Sequence, residues 1–416
     1  ACVEASGPRT CVFAVGGTIA LEQPLYTEDP FLTVAGQTAP GGGIQITNAP
    51  GAEVSALVYL AAHDVVWQYT RLRNQFQSAC TDGNGSECGA LFATGDGSVR
   101  VIADHNSLAW NQDEGFGVWA NATAPLQELT LSANLIALGL ESHSTGIIVG
   151  GEDSAAAGGV TDVDIHHNLI LNNNHRNPLF KGRSGRLVAN LFYNQGFYVT
   201  QVGGGASVDI VGNEYREGPM NEGFHEIQAW SASGTDARDG EPSLYVSGNR
   251  GWNQPDPDGD QVPLTYRVDG ENGDEVGALD PGWLRAEPLP PPSHPIPHGE
   301  PLEDVLVPTV GASRGLDCDG AWVDRRDPID ALLIEQLLAD DGISRLPVRD
   351  DGLPTLDPGE PCPDADADGM PDGWEADHGL SSDDPDDHAA VAAAGFTALE
   401  LYLSGRFPVG TPLPAE

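Results

Sequence analysis

Along the first two thirds of the chain, short apolar runs with alternate apolar positions each end on Asn or Asp. The pattern is Val99-x-Val101-x-x-Asp104, then Leu129-x-Leu131-x-x-Asn134 and Val163-x-Ile165-x-x-Asn168. It continues as Leu187-x-x-Asn190, Val208-x-Ile210-x-x-Asn213 and Leu244-x-Val246-x-x-Asn249. Alternation predicts strands with one face turned inward. The polar anchors are 30, 34, 22, 23 and 36 residues apart. Steps of 22 and 23 match one bare coil of a β-solenoid, and the longer steps read as the same coil carrying a loop. A β-sandwich would instead give strands every 8–12 residues or so, with no fixed coil step. In a solenoid, neighbouring coils supply each strand's partner and cover its core. The Asn at each corner is expected to take a left-handed turn and bond to the Asn above and below.

Beyond the repeat the pattern changes. Residues 286–300 carry Pro288, Pro290, Pro291, Pro292, Pro295 and Pro297 and predict an extended strap. The run Asp330-Ala-Leu-Leu-Ile-Glu-Gln-Leu-Leu has helical spacing and predicts a short helix closing the solenoid. Residues 346–361 read as an acidic, Pro/Gly-rich linker, and 362–416 as a separate small unit. In that unit Asp364, Asp366, Asp368, Asp372 and Glu375 stand at positions 1, 3, 5, 9 and 12 of a loop with Gly369 at position 6. Such spacing wraps oxygen ligands around one Ca2+, with the Met370 backbone carbonyl as a further ligand. Trp374, Phe396, Leu399, Leu401 and Tyr402 are candidates for a small core against the loop. The unit resembles thrombospondin type 3-like calcium repeats, often appended to secreted bacterial enzymes, which implies a structural or tethering role and no chemistry. The alternative is a solvated acidic tail.

Composition narrows the class. With 416 residues, 52 Gly and 32 Pro, the chain fits one large turn-rich β domain plus an appendage. It contains no apolar run long enough to span a bilayer, so no membrane partner is expected. The sequence starts at Ala1-Cys2, so any signal peptide is expected to have been removed or not included. Six cysteines fall as Cys2/Cys11, Cys80/Cys88 and Cys318/Cys362, with neither Cys-x-x-Cys nor a zinc spacing. An even count suits disulfides in an oxidising, extracellular compartment; buried thiols in a cytosolic protein are the alternative. The net charge of -43 excludes nucleic acid, whose phosphates need clustered Lys and Arg. It also repels an anionic polymer, so such a substrate needs bound calcium or a salty habitat to bridge the charges. A monomer is expected.

Several ordered segments carry a family resemblance: Gly7-Pro-Arg9; Thr33-Val-Ala-Gly36-Gln37-Thr38-Ala39-Pro40-Gly41-Gly42-Gly43; and Asp104-His105-Asn-Ser107 running to Trp110 and Asp113-Glu114. They continue through His166-His167-Asn168-Leu169, Asn174-His-Arg176-Asn-Pro178, Asn190-Leu-Phe-Tyr193-Asn194 and Arg325-Arg326-Asp327-Pro-Ile-Asp330. Over roughly residues 5–345 the chain resembles the pectate lyases of polysaccharide lyase family one. The resemblance implies a right-handed parallel β-helix over 1–345 that cleaves pectate by β-elimination with an Arg base. It also implies a calcium ion bridging the substrate carboxylate to enzyme acids.

Carried over by residue, the base is Arg176, with Lys181 where the family has a second Arg. Lys keeps the charge and loses the bidentate fork. Asp113, with Glu114 beside it and Asp104 on the preceding coil, is the candidate calcium set. Arg183 and Arg186 are expected to flank the same groove, and His143 to contact substrate, since the gathering of Arg176, Lys181, Arg183 and Arg186 gives a local cationic strip. The chain departs from the family at Leu138, near which members carry an acid. Glu141 and His143 are the substitutes on offer. Competing readings are a lyase for another polyuronate, a β-helical glycoside hydrolase, which needs paired carboxylates, and a non-catalytic carbohydrate-binding solenoid.

Overall fold

Three strands per coil, repeated coil upon coil, generate three long sheets in the computed structural model, of nine, eight and ten strands. The structure describes the chain apart from residues 82–87, 95–96, 122–123, 142, 222, 291–300, 393–394 and 406–416. In the first two sheets, and in the third as far as Ile227–Trp230, neighbours are three strands apart in sequence, so each coil gives one strand to each face. The first sheet runs from Arg9–Cys11 to Ser243–Ser247 and the second from Gly17–Leu21 to Glu214–Arg216. The third runs from Leu25–Thr27 to Thr265–Val268, with Glu275–Ala278 added antiparallel at its edge. The chain is a parallel β-helix, as the repeat predicts.

Alternate residues stack inward in register. Leu131, Ile165, Leu187 and Ile210 lie one above another and are all but fully buried. Burial of each such side chain contributes about 1.5–3 kcal/mol. The Asn ladder also forms: Asn106, Asn134, Asn168, Asn190, Asn213 and Asn249 each pass a backbone N–H and a side-chain N–H to the next side-chain oxygen, ending on Gln261. Two details differ from expectation. The rung of the Asp104 coil is Asn106, while Asp104 pairs in register with Ser132. The left-handed backbone belongs to the residue before each Asn, namely His105, Ala133, His167, Ala189, Gly212 and Gly248. The Asn side chain must turn into the coil stack to reach its neighbours, so the reversal falls one residue earlier.

The predicted helix spans Pro328–Ala339, capped by the Asp327 side chain, which accepts from the Asp330 N–H. It covers the flank of the second sheet rather than an end, packing with Leu302–Leu306 against Leu135, Leu169, Leu191 and Tyr193. The polyproline strap falls mostly on 291–300, outside the described residues. Segment 346–361 is laid along the solenoid by backbone bonds from Gly16, Gly42 and Glu141 to Pro358, Asp357 and Pro347. The C-terminal residues share an apolar cluster with Ala35 and Leu316 of the solenoid. At Gly320, in left-handed conformation, a Cβ would lie 2.6 Å from Trp374, so the close approach requires glycine. Disulfides join Cys2–Cys11, Cys80–Cys88 and Cys318–Cys362. Among the described residues no helix is long and apolar enough to cross a membrane.

Candidate active site and candidate calcium loop

Stacking places residues about one coil apart in sequence beside one another. Asp113 and Glu114 enter the third-sheet strand Glu114–Ala120, and His143 precedes the next, Thr145–Gly151. His175 and Arg176 precede Leu179–Phe180 on the coil after that. Glu114 is in register with Thr145, and Thr145 bridges His175, which brings all five residues to one end of three adjacent strands.

The guanidinium of Arg176 is the hub. One Nη donates to Glu114 Oε1 and lies 3.8 Å from Asp113 Oδ1; the other reaches Glu271 Oε1 at 3.1 Å. His143 Nε2 is 3.6 Å from the same Asp113 oxygen. Lys181, almost wholly buried, donates to Asp236 and, at 2.9 Å, to Glu271 Oε2, and lies over the Trp119 ring.

The electrostatics follow from these contacts. Burial works to raise the Glu114 carboxyl, but Arg176 beside it outweighs burial and holds it at about 2. Burial works against the Arg176 charge, yet Glu114, Glu271 and Asp113 hold the guanidinium protonated well above its ordinary range. Burial first, and Arg176 second, press His143 down and His175 down to about 3. Both imidazoles are therefore neutral near pH 7. Counting charges, Arg176 and Lys181 (+2) face Asp113, Glu114, Asp236 and Glu271 (−4), leaving −2.

Of the residues expected here, Arg176, Lys181, Asp113, Glu114 and His143 come together. Asp104 does not: it lies on Val99–Asp104 in the first sheet, bound to His105 at 2.6 Å and to Ser132. Arg186 does not either; on Ser184–Val188 of the first sheet it pairs with Asp164 at 3.2 Å. Arg183 is exposed in the turn leading away from the groove sheet. Leu138 follows the second-sheet strand Leu135–Ala137 and packs against that flank, so His143 is the residue from this coil that meets Asp113. Glu271, Asp236 and His175 were missed. His175 precedes Arg176 in the quoted motif, whereas Glu271 and Asp236 come from distant loops and only the need to neutralise a buried Lys points to them.

Asp113 and Glu114 supply oxygens for a hard cation such as calcium, and with His143 their ligand atoms lie within 4.8 Å of one another. Two carboxylates leave most of a shell to water and substrate, because calcium favours oxygen over imidazole nitrogen.

In the C-terminal unit, Asp364, Asp366 and Asp368 converge, as do Asp368, Glu375 and Asp387. Glu375 is fully buried, and neither of its carboxylate oxygens has a protein hydrogen-bond partner; the same holds for both oxygens of Asp366. Burial, then Asp368, Asp366 and Asp387, push Glu375 up to about 8; burial and the neighbouring acids push Asp368 to about 6. A buried Glu375 and a half-buried Asp366, whose oxygens face other acids without donors, fit a divalent cation. Asp372 is used otherwise, heading the helix Asp372–His378 and accepting from the Ala365 N–H at 2.8 Å. The Met370 side chain fills the local core.

No protein-family profile matches the chain. The resemblance to pectate lyases read from the sequence is nonetheless borne out by similar proteins. The chain is 28% identical over 415 residues to the "probable pectate lyase C" of Emericella nidulans, covering 97% of this chain and 83% of that protein. It is equally identical over 411 residues to the Aspergillus fumigatus protein of the same name, with 96% and 84% covered. A solved pectate lyase bound to a hexasaccharide aligns with TM-score 0.46 and 15% identity over 69% of each chain.

Proposed function

We propose that the chain is a secreted polysaccharide lyase that cleaves pectate by calcium-assisted β-elimination. The observation that carries this reading is the convergence, on one face of the β-helix, of Arg176, Lys181, Asp113 and Glu114 from separate coils. Its support is the similarity of almost the whole chain to proteins named as pectate lyases.

In this reading Lys181 and the outer Nη of Arg176 orient a uronate carboxylate. Once its guanidinium has given up one proton to solvent, Arg176 takes the C5 proton; the C5–H electron pair becomes the C4–C5 double bond, and the C4–O pair leaves with the departing sugar, which is protonated from water. Asp113 and Glu114 would hold the calcium ion, which supplies positive charge against the developing enolate-like carboxylate. The acids that keep Arg176 protonated are the obstacle to its acting as a base, so they must be neutralised in the working complex. One observation favours the non-catalytic alternative: as it stands, Arg176 is firmly a cation.

Polygalacturonate incubated with the protein is expected to yield an unsaturated, ultraviolet-absorbing product with calcium and none with chelator. New reducing ends without unsaturation would make it a hydrolase, and binding without product a carbohydrate-binding solenoid.

The C-terminal loop is proposed as a structural calcium site of Asp364, Asp366, Asp368, Glu375 and Asp387, with the backbone carbonyl of Met370. Calcium at 100 times its dissociation constant should stabilise the protein by about 2.7 kcal/mol. The gain should disappear in Glu375→Gln and persist in Asp113→Asn, read as melting with calcium against chelator.

A further inference from the structure

The turn joining Thr265–Val268 to Glu275–Ala278 brings Glu271 back across the groove sheet to the two cations. We propose that Glu271 stands in for the substrate's carboxylate: it closes the Arg176–Lys181 pair until a uronate carboxylate replaces it, and so sets the affinity of the site. The inference rests on the uronate reading of this groove.

One carboxylate spans two cations, with Oε1 3.1 Å from Arg176 Nη2 and Oε2 2.9 Å from Lys181 Nζ. A planar acid bridging two donors is what a uronate would offer in the same place. A monodentate anion meets only one of the two cations, so it exchanges poorly for Glu271. Lys181 is 1% exposed and pairs with both Asp236 and Glu271, so Asp236 still matches its charge while Glu271 exchanges for substrate.

Charge makes the event an exchange. The cluster stands at −2 with Glu271 in place; a uronate added to it would bring −3, whereas a uronate replacing Glu271 leaves −2. The tip is built to leave. Glu271 is 21% exposed, and the turn is held by Asp269 N–H to Asp274 O at 3.3 Å, Gly273 N–H to Gly270 O at 3.1 Å, and one long bond from Asn272 N–H to Gln201. Such sparsely tied hairpin tips open locally without unfolding the sheet.

Calorimetric binding of saturated trigalacturonate to the wild type, Glu271→Gln and Glu271→Ala tests the proposal, with KM and kcat measured in parallel. Both variants should bind the trimer about tenfold more tightly, because the competent state no longer has to be opened. KM should fall with the dissociation constant. A wild type that binds while neither variant binds more tightly overturns the role of Glu271 alone. No binding by any of the three overturns the uronate reading and this inference with it.

Discussion

Arg176→Lys, which keeps the positive charge, is expected to lower kcat by about 10²–10⁴ with little loss of thermal stability. Ala would be a poor probe, because it strands Glu114, a buried carboxylate held at about 2 by Arg176. Lys supplies a charge to Glu114 but no fork. It cannot face Glu114 with one nitrogen and Glu271 with another, as the guanidinium does. If Arg176 removes the C5 proton, a shift of about 1 Å in the accepting atom is enough to cost about 10²-fold. Trimer binding should change far less, since Lys181 remains. A variant with wild-type kcat in saturating calcium would reduce Arg176 to a charge. The neutral imidazole of His143 would then be the base to test, as His143→Gln.

The solenoid was legible because its period is a physical one. A coil that returns to the same face after 22 or 23 residues must repeat its inward apolar pair and its corner Asn, and both repeats are plain in the sequence. The corner at Asp104-His105-Asn106 offers two polar anchors, and spacing alone chose the wrong one. Only the ladder's demand for an amide, which both donates and accepts, selects Asn106 over Asp104.

The same geometry explains which site residues were misjudged. Ten residues separate Arg176 from Arg186 and nine separate Asp104 from Asp113, less than half a coil in each case, so each pair is split between different sheets. His143 is 33 residues from Arg176, about one looped coil, and is a neighbour of the same acid. In a β-helix, residues close to half a coil apart fall on different faces, whereas residues one whole coil apart meet. Glu271 obeys neither rule, because a hairpin outside the repeat delivers it.

Asp330→Ala is expected to destabilise the fold by about 3–5 kcal/mol, measured by chemical denaturation, with kcat per folded molecule unchanged. The second sheet buries Arg71 and Arg73, each at most 1% exposed, against Asp327 and Asp330 from the start of the flanking helix. Arg73 lies 2.6 Å from Asp330 and 3.1 Å from Asp327, and Arg71 lies 3.0 Å from Asp327. Ser107 donates to the second Asp330 oxygen and in turn accepts from the Ala312 N–H. Two cations and two acids balance, so removing one acid leaves a fully buried guanidinium short of charge while also freeing Ser107. The cost is that of the stranded cation and not of the contact, and a double replacement separates the two. Arg73→Met with Asp330→Leu leaves Arg71 and Asp327 as a balanced pair and fills the volume with apolar atoms. It should therefore cost less than Asp330→Ala alone. A double variant as unstable as the sum of its parts would mean that the cluster's hydrogen-bond geometry, rather than its charge balance, fastens the helix to the sheet.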